Sequence, residues 1–172
     1  TGPRQSGKTT LVKSVFSDLP YVSLEEIDVR NNALHDPKAF LSNFPDGAVL
    51  DEIQRTPDLF SYLQGIVDEK KNVQFVLTGS QNFQLLQGIT QSLAGRSVLF
   101  KLLPFSLSEL GKARIEFSNY EDVIYKGLYP GIYDRKINPK FFYPSYIGTY
   151  IEKDVRQIKN IENLNNFTRF LQ

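Results

Sequence analysis

Gly2-Pro3-Arg4-Gln5-Ser6-Gly7-Lys8-Thr9, followed by Thr10, is the stretch that decides the fold of this 172-residue chain. Its first eight residues match the pattern G-x-x-x-x-G-K-T, in which the two glycines let the backbone curl so that its N–H groups point inward. A loop of this kind, placed directly before a helix, cradles phosphate groups. We therefore predict that residues 2–10 bind the phosphates of a nucleotide.

The residues behind the loop predict a helix, because apolar side chains recur at positions 11, 12, 15 and 16. Within the loop, Lys8 supplies a mobile positive charge for the β- and γ-phosphates, and the Thr9 hydroxyl is placed to coordinate Mg²⁺. A glycine-containing turn before an ordinary helix is the alternative. Since the chain begins at the loop, we expect the strand that precedes such a loop to be missing from this sequence.

An acidic pair follows a short apolar run further along the chain. Ala48-Val49-Leu50 shows no alternation and predicts a fully buried parallel strand, with Asp51 and Glu52 at its carboxyl end. We predict that Asp51 holds Mg²⁺ through water and that Glu52 is the general base for the attacking water. A strand running into an acidic surface turn is the alternative. An adjacent carboxylate pair fits hydrolysis better than transfer to a small-molecule hydroxyl.

A third strand is predicted over Val73–Leu77, and it ends in a polar tip. We assign Ser80 at this tip to sensing the γ-phosphate or orienting water, with Thr78 and Gln81 as the next choices. An equally good alternative is that Ser80 caps the N-terminus of the helix that follows.

Arg96 precedes a predicted fourth strand over Ser97–Lys101. As a catalytic residue, its guanidinium would stabilise transition-state charge in the same subunit or in a neighbouring one. As an ordinary surface residue, it would form a salt bridge.

These motifs together resemble the prokaryotic AAA-type (AAA_14) P-loop ATPases that carry a C-terminal domain of unknown function, DUF4143. The resemblance rests on ordered segments: Gly2–Leu11, Leu50–Arg55, Leu77–Ser80, Leu93–Arg96 and Leu103–Leu110. Downstream, Gly127–Pro130 and Thr149–Arg156 resemble the start of that C-terminal domain. The resemblance implies an α/β fold with three α/β/α layers and a parallel sheet in the order 5-1-4-3-2, its first strand missing here. It also implies a C-terminal domain that stops early.

We accordingly expect an ATPase core at residues 1–111 and the truncated start of a mainly helical, DUF4143-like domain at 112–172. In the second domain, Asn119 is placed to cap a helix that runs to Lys126. A loop over residues 127–138 and a helix opened by Pro144 should follow.

Within the core, the order of apolar and turn residues predicts further elements. The segment Tyr21–Leu24 reads as a strand, Glu25–Arg30 as its end and a loop, and Pro37–Phe44 as a short helix. Pro57–Lys70 reads as an amphipathic helix, and residues 82–93 as an interrupted one.

Composition limits the class of protein. Hydrophobic residues make up 41% of the chain and charged residues 23%, as in soluble globular proteins. No apolar run approaches the roughly 20 residues that span a bilayer, and no secretory signal is visible, so we expect a cytoplasmic protein without a membrane partner. The absence of cysteine and the single histidine, His35, exclude disulfides and a thiolate zinc site.

Tyrosines interleaved with basic residues mark the later part of the chain, at positions 120, 125, 129, 133, 143, 146 and 150. This pattern indicates packing between amphipathic helices more often than stacking on nucleic-acid bases. The sequence therefore allows the C-terminal domain to bind a protein or DNA partner, and it also allows the chain to form a homo-oligomer.

The sequence favours Mg²⁺-dependent ATP hydrolysis coupled to a conformational change, with ATP and Mg²⁺ as cofactors. An ATP-gated module that binds DNA or protein with negligible turnover is the alternative. A small-molecule kinase fits less well because of the paired carboxylates. A GTPase also fits less well, since no N-K-x-D segment occurs.

Overall fold

The structure is a computed structural model that describes residues 1–80, 89 and 91–153. These residues fall into two compact units. The first unit comprises Thr1–Pro3 and Gly7–Leu103, and the second comprises Arg4–Ser6 and the described residues from Pro104 onward. The candidate Gln81 lies outside the described residues, as does most of the predicted helix over residues 82–93.

Strands alternate with helices along the first unit. The elements are α1 (Lys8–Val15), β1 (Tyr21–Ser23), α2 (Ile27–His35), α3 (Pro37–Ser42), β2 (Gly47–Asp51), a 3-10 turn (Ile53–Arg55), α4 (Leu59–Glu69) and β3 (Gln74–Leu77). The three described strands form one parallel sheet in the order β1-β2-β3. This confirms the prediction of a parallel sheet combined with helices, while the complete order 5-1-4-3-2 stays a prediction.

The central strand β2 is buried along its whole length, as its unbroken apolar run predicts. Leu50 is paired with Val22 of β1 on one side and with Leu77 of β3 on the other. Side chains from the helices and the connecting turns complete the core around it, among them Leu24, Leu41, Leu59, Phe60 and Leu63. Each fully buried side chain of this size contributes about 1.5–3 kcal/mol. The strand therefore holds its C-terminal residue, Asp51, on a rigid support.

The prediction of a fourth strand over residues 97–101 is wrong for the described structure, in which this segment belongs to no strand. Thr1 donates a hydrogen bond to the Phe100 carbonyl at 2.7 Å and accepts one from the Leu102 N–H at 2.8 Å. That is the pattern between neighbouring parallel strands, but it involves a single residue. A strand exists only as part of a ladder, and one pair does not make a ladder.

The prediction of a strand end and loop over Glu25–Arg30 is also wrong, because α2 begins at Ile27. Asp28 lies in the first turn of α2, where a carboxylate is favourable, and Ala33 is buried on the core side. The short apolar stripe of this helix was hidden by its many polar residues.

All the regular elements described in the second unit are helices. They are α5 (Leu107–Lys112), α6 (Tyr120–Lys126), α7 (Pro130–Asp134) and α8 (Pro139–Lys153). The predicted cap of α6 is confirmed, since the Asn119 side chain accepts a hydrogen bond from the Asp122 N–H at 2.9 Å. Ser106 and Glu109 form a capping box at the start of α5.

Two predictions for this unit are wrong. Residues 127–138 are not a continuous loop, because Pro130 opens α7 with a backbone angle that already suits a helix. Pro144 does not open a helix but lies inside α8, which begins at Pro139. The earlier proline takes the first helical position, and the Asn138 side chain accepts a hydrogen bond from the Lys140 N–H at 2.9 Å.

Several of the tyrosines pack inside the second unit. Tyr129 lies against Tyr146 with ring centroids 4.9 Å apart, and its hydroxyl donates to the Tyr146 hydroxyl at 3.0 Å. The Tyr143 hydroxyl donates to the Lys126 carbonyl at 2.9 Å, and the Tyr133 hydroxyl donates to the Gly127 carbonyl. These contacts favour the packing interpretation of the tyrosine pattern.

Tyr120 and Tyr125 differ from those side chains, because they are 72% and 57% exposed on α6. The side chain of Tyr150 lies outside the described residues.

Candidate functional site

The loop before α1 has the backbone of an anion-binding turn. Gly2, Gln5 and Gly7 all have positive φ, at 147°, 59° and 93°. A Cβ on Gly2 would lie 2.0 Å from the Leu102 carbonyl oxygen, so only glycine fits there. Gly7 is the residue before α1, and no side chain caps the helix. The first N–H groups of α1 are thus not bound by a capping side chain and can be offered to an anion.

Lys8 turns its side chain back over this loop. Its ammonium group donates to the Gly2 carbonyl at 3.0 Å and to the Pro3 carbonyl at 2.7 Å. A triphosphate that entered the loop would meet this charge directly, and the role of Lys8 toward the β- and γ-phosphates stays a prediction. Ser6 also lies in the loop, and its hydroxyl is buried without a hydrogen-bond partner among the described residues.

Asp51 is the point at which three segments of the first unit meet. The Thr9 hydroxyl donates to Asp51 Oδ2 at 2.8 Å, the Tyr21 hydroxyl donates to the same oxygen at 2.6 Å, and the Thr78 hydroxyl donates to Oδ1. Burial works to raise the pKa of Asp51, but the hydrogen bonds from Thr78, Tyr21 and Thr9 hold that pKa below its usual value. Asp51 is therefore an anion, fixed by donors on both oxygens.

The structure thus brings together Thr9 and Asp51, the two residues predicted as metal ligands. Sequence reasoning ranked Thr78 behind Ser80 and missed Tyr21 altogether. Tyr21 begins the strand predicted after α1, but tyrosine is common in strands and so gave no signal of a role at the site. The Ser80 hydroxyl is buried and has no hydrogen-bond partner among the described residues, so its role stays a prediction.

Glu52 leaves the direction of β2, because its backbone is left-handed with φ 60°. Such a conformation is uncommon outside glycine and is found at functional sites. The Gln54 amide donates to Glu52 Oε2 at 2.5 Å, and Gln54 is itself buried. Sequence reasoning did not identify Gln54 as a partner of the predicted general base.

Arg96 forms an ion pair in the first unit. Its guanidinium donates to both oxygens of Asp68, at 2.5 and 3.0 Å, and both side chains are more than a third exposed. This is the surface salt bridge that the sequence left as an alternative. A catalytic role for Arg96 stays a prediction.

The oxygens around Asp51 fit a hard divalent cation such as Mg²⁺. A hydroxyl and a carboxylate, from Thr9 and Asp51, lie 2.8 Å apart at the carboxyl end of β2. No group of three or more His, Cys, Asp or Glu residues that would hold a metal occurs in the described part of the chain. Mg²⁺ suits a site of this kind, because it usually keeps several waters and binds through one or two protein ligands plus phosphates.

None of the helices in the described ranges is both long enough and apolar enough to cross a membrane.

Comparison with known proteins divides the chain into two regions. The sequence model of a family described as AAA domain (AAA_14) matches residues 1–111. A family described as a domain of unknown function, DUF8612, matches residues 117–172. The expectation of a DUF4143 domain is therefore wrong. It rested on the short segments Gly127–Pro130 and Thr149–Arg156, whose common aromatic and charged residues do not distinguish one helical domain from another.

Similar proteins are known at the level of sequence and of fold. Uncharacterised proteins of Mycobacterium bovis and Mycobacterium tuberculosis are each 32% identical over 162 residues, which is 92% of this chain and 36% of theirs. The chain thus spans about a third of the length of these curated relatives. A solved chain of a Walker-type ATPase of Pyrococcus abyssi has a TM-score of 0.50 at 14% identity, over 88% of this chain and 66% of that one.

Proposed function

The chain belongs to the AAA domain family, and we propose on that premise that it binds ATP with Mg²⁺ at the loop of residues 2–10 and hydrolyses it to ADP and phosphate. The observation that carries this proposal is the contact between Thr9 and Asp51. This contact joins the loop of residues 2–10 to the acidic end of a buried strand, which is the pairing that a nucleoside triphosphatase needs.

Each residue of the site has a distinct task in this proposal. The loop N–H groups and Lys8 bind the phosphate oxygens and balance their charge. Thr9 and Asp51 would hold Mg²⁺, which supplies further neutralisation of charge on the phosphates when it is bound. Glu52 accepts a proton from the water whose oxygen attacks the γ-phosphorus. The bond from that phosphorus to the bridging oxygen breaks, and ADP leaves with the electron pair.

Two further roles belong to the proposal. Ser80 or Thr78 senses the γ-phosphate at the tip of β3, and Arg96 stabilises transition-state charge once it is released from Asp68. Hydrolysis would be coupled to a change of conformation passed to residues 112–172, through which a protein or DNA partner would bind.

The experiment is ATP turnover with Mg²⁺ by the full-length protein, for the wild type beside Lys8→Ala and Glu52→Gln. Lys8→Ala should lose both nucleotide binding and turnover, because it removes the charge that binds the phosphates. Glu52→Gln should lose turnover by a factor of about 10²–10⁴, the usual contribution of a general base, and keep nucleotide binding. Equal turnover in wild type and Glu52→Gln would contradict the role of Glu52.

The alternative, an ATP-gated binding module with negligible turnover, is favoured by one specific contact. Gln54 holds the Glu52 carboxylate at 2.5 Å, and a carboxylate so held is less available to a water molecule. Tight nucleotide binding by the wild type without turnover would favour this alternative and rule out the enzyme. Gln54→Ala would then be expected to raise turnover by releasing Glu52.

A further inference from the structure

We propose that Tyr21 is a positioning residue for Mg²⁺, acting through the Asp51 carboxylate. The proposal rests on the function proposed above and assigns a role to a residue outside the loop and acidic-strand motifs. Its basis is the hydrogen bond from the Tyr21 hydroxyl to Asp51 Oδ2, at 2.6 Å.

The register of the sheet explains how this contact forms. Tyr21 pairs with Val49, and Ser23 pairs with Asp51. Paired residues of neighbouring strands point to the same face, as do residues two apart on one strand. Tyr21 and Asp51 are therefore diagonal neighbours on one face, and only a side chain as long as tyrosine reaches from the first position to the second.

Helix α1 covers that same face and holds the ring in place. Thr9 and Lys13 lie four residues apart on α1, so they project from one side of the helix. Thr9 bonds to Asp51, and the Lys13 ammonium lies 3.8 Å from the centre of the Tyr21 ring. A cation over an aromatic face is favourable, so the ring is fixed by Lys13 while its hydroxyl is directed at Asp51.

The two oxygens of the Asp51 carboxylate accept hydrogen bonds from different donors, and this distribution distinguishes Tyr21 from the others. Asp51 Oδ2 accepts hydrogen bonds from Thr9 and Tyr21, while Oδ1 accepts one from Thr78. Thr9 is itself a proposed metal ligand, so its oxygen has a second task at this site. Tyr21 is the donor to Oδ2 that has no such task. Hydrogen-bond donors that orient a metal-binding carboxylate typically change metal affinity by 10- to 100-fold when they are removed.

The test uses Tyr21→Phe in the full-length protein, with Tyr62→Phe as the matched control. Tyr21→Phe keeps the ring and its contact with Lys13 and removes only the hydroxyl. Tyr62 lies on α4 with 43% of its side chain exposed, so its variant loses a hydroxyl away from Asp51. The measurement is binding of a fluorescent ATP analogue, once in EDTA and once during a titration with Mg²⁺, with ATP turnover recorded in parallel.

We expect Tyr21→Phe to need about tenfold more Mg²⁺ for half-maximal binding, at the low end of the range for such donors. Its nucleotide affinity in EDTA should equal that of the wild type, and saturating Mg²⁺ should restore its turnover. Tyr62→Phe should match the wild type in every measurement.

Two results would overturn the inference. One is an unchanged Mg²⁺ requirement in Tyr21→Phe. The other is an equal loss of binding in EDTA and in Mg²⁺ by a variant whose thermal unfolding midpoint matches that of Tyr62→Phe, which would show that Tyr21 is a packing residue only. A wild type that binds no nucleotide would instead contradict the proposed function, so the two failures are distinguishable.

Discussion

At the scale of single residues, the site depends on the charge of one buried carboxylate. Asp51 is only 5% exposed, and its pKa is lowered because the hydroxyls of Thr78, Tyr21 and Thr9 outweigh the cost of burial. A carboxyl group with a depressed pKa stabilises the folded state above the pKa of the unfolded chain. That stability is lost as the pH falls through the folded pKa.

Thr78→Val tests this balance, because valine keeps the shape of threonine and removes the donor to Asp51 Oδ1. We expect the free energy of unfolding near pH 7 to fall by about 1.5–3 kcal/mol, the usual value for a hydrogen bond to a charged group. The pKa of Asp51 should move up, so the variant should lose less of its remaining stability between pH 6 and the acid limit. Urea unfolding at several pH values measures both effects.

Thr78→Ser is the matched control, since serine keeps the hydroxyl. Equal stability of Thr78→Val and the wild type at neutral pH would show that Asp51 does not depend on this donor.

At the scale of the elements, the sheet limits the residue at the start of β2. Gly47 has φ 111°, and a Cβ at this position would lie 1.8 Å from the Gln74 carbonyl oxygen of β3. Gly65, inside α4, has no atom within 4 Å of the corresponding point. One glycine is therefore required by strand pairing, whereas the other only weakens its helix.

Substitution by alanine should separate these two glycines. Gly47→Ala should destabilise the protein by at least about 2 kcal/mol, because it adds backbone strain and a clash between β2 and β3. Gly65→Ala should stabilise it by roughly 0.5–1 kcal/mol, since alanine favours the helix interior. Chemical unfolding of both variants measures the difference, and a tolerated Gly47→Ala would contradict the close strand approach.

Elements with strong local patterns were predictable from the sequence. β2 is an unbroken apolar run after a turn, α4 has a clear helical apolar period, and Asn119 carries the signature of a cap. α2 was missed because its helical pattern is short and rich in polar residues, and α7 because its five residues begin with Pro130-Gly131, a pair typical of turns. The segment over residues 97–101 has the composition of a strand, but strand formation depends on a partner that composition does not reveal.

At the scale of the whole molecule, local patterns in the sequence marked two of the candidate site residues, the G-x-x-x-x-G-K-T loop for Thr9 and the acidic end of an apolar run for Asp51. Thr9 and Asp51 were predicted as a pair, and they meet at 2.8 Å. Tyr21 and Gln54 were not predicted. Tyr21 contacts Asp51 because of the register of two strands, and Gln54 contacts Glu52 beside the left-handed turn at Glu52. Neither feature is written in a sequence pattern, because the first depends on how two strands pair and the second on an uncommon backbone conformation of Glu52.

Because the proposed site residues come from different parts of the chain, nucleotide binding should require the folded protein. Lys8, Asp51 and Thr78 come from separate segments, so the unfolded chain cannot offer them together. ATP with Mg²⁺ should therefore stabilise the full-length protein by RT ln(1 + [L]/Kd), which is about 2.7 kcal/mol at a ligand concentration of 100 Kd. Thermal unfolding at increasing ATP concentration should show a midpoint that rises logarithmically in the wild type. Lys8→Ala should show no rise, because it cannot bind the phosphates. A rise of equal size in Lys8→Ala would place ATP at a surface other than the loop of residues 2–10, and the contact between Thr9 and Asp51 would then have no part in binding.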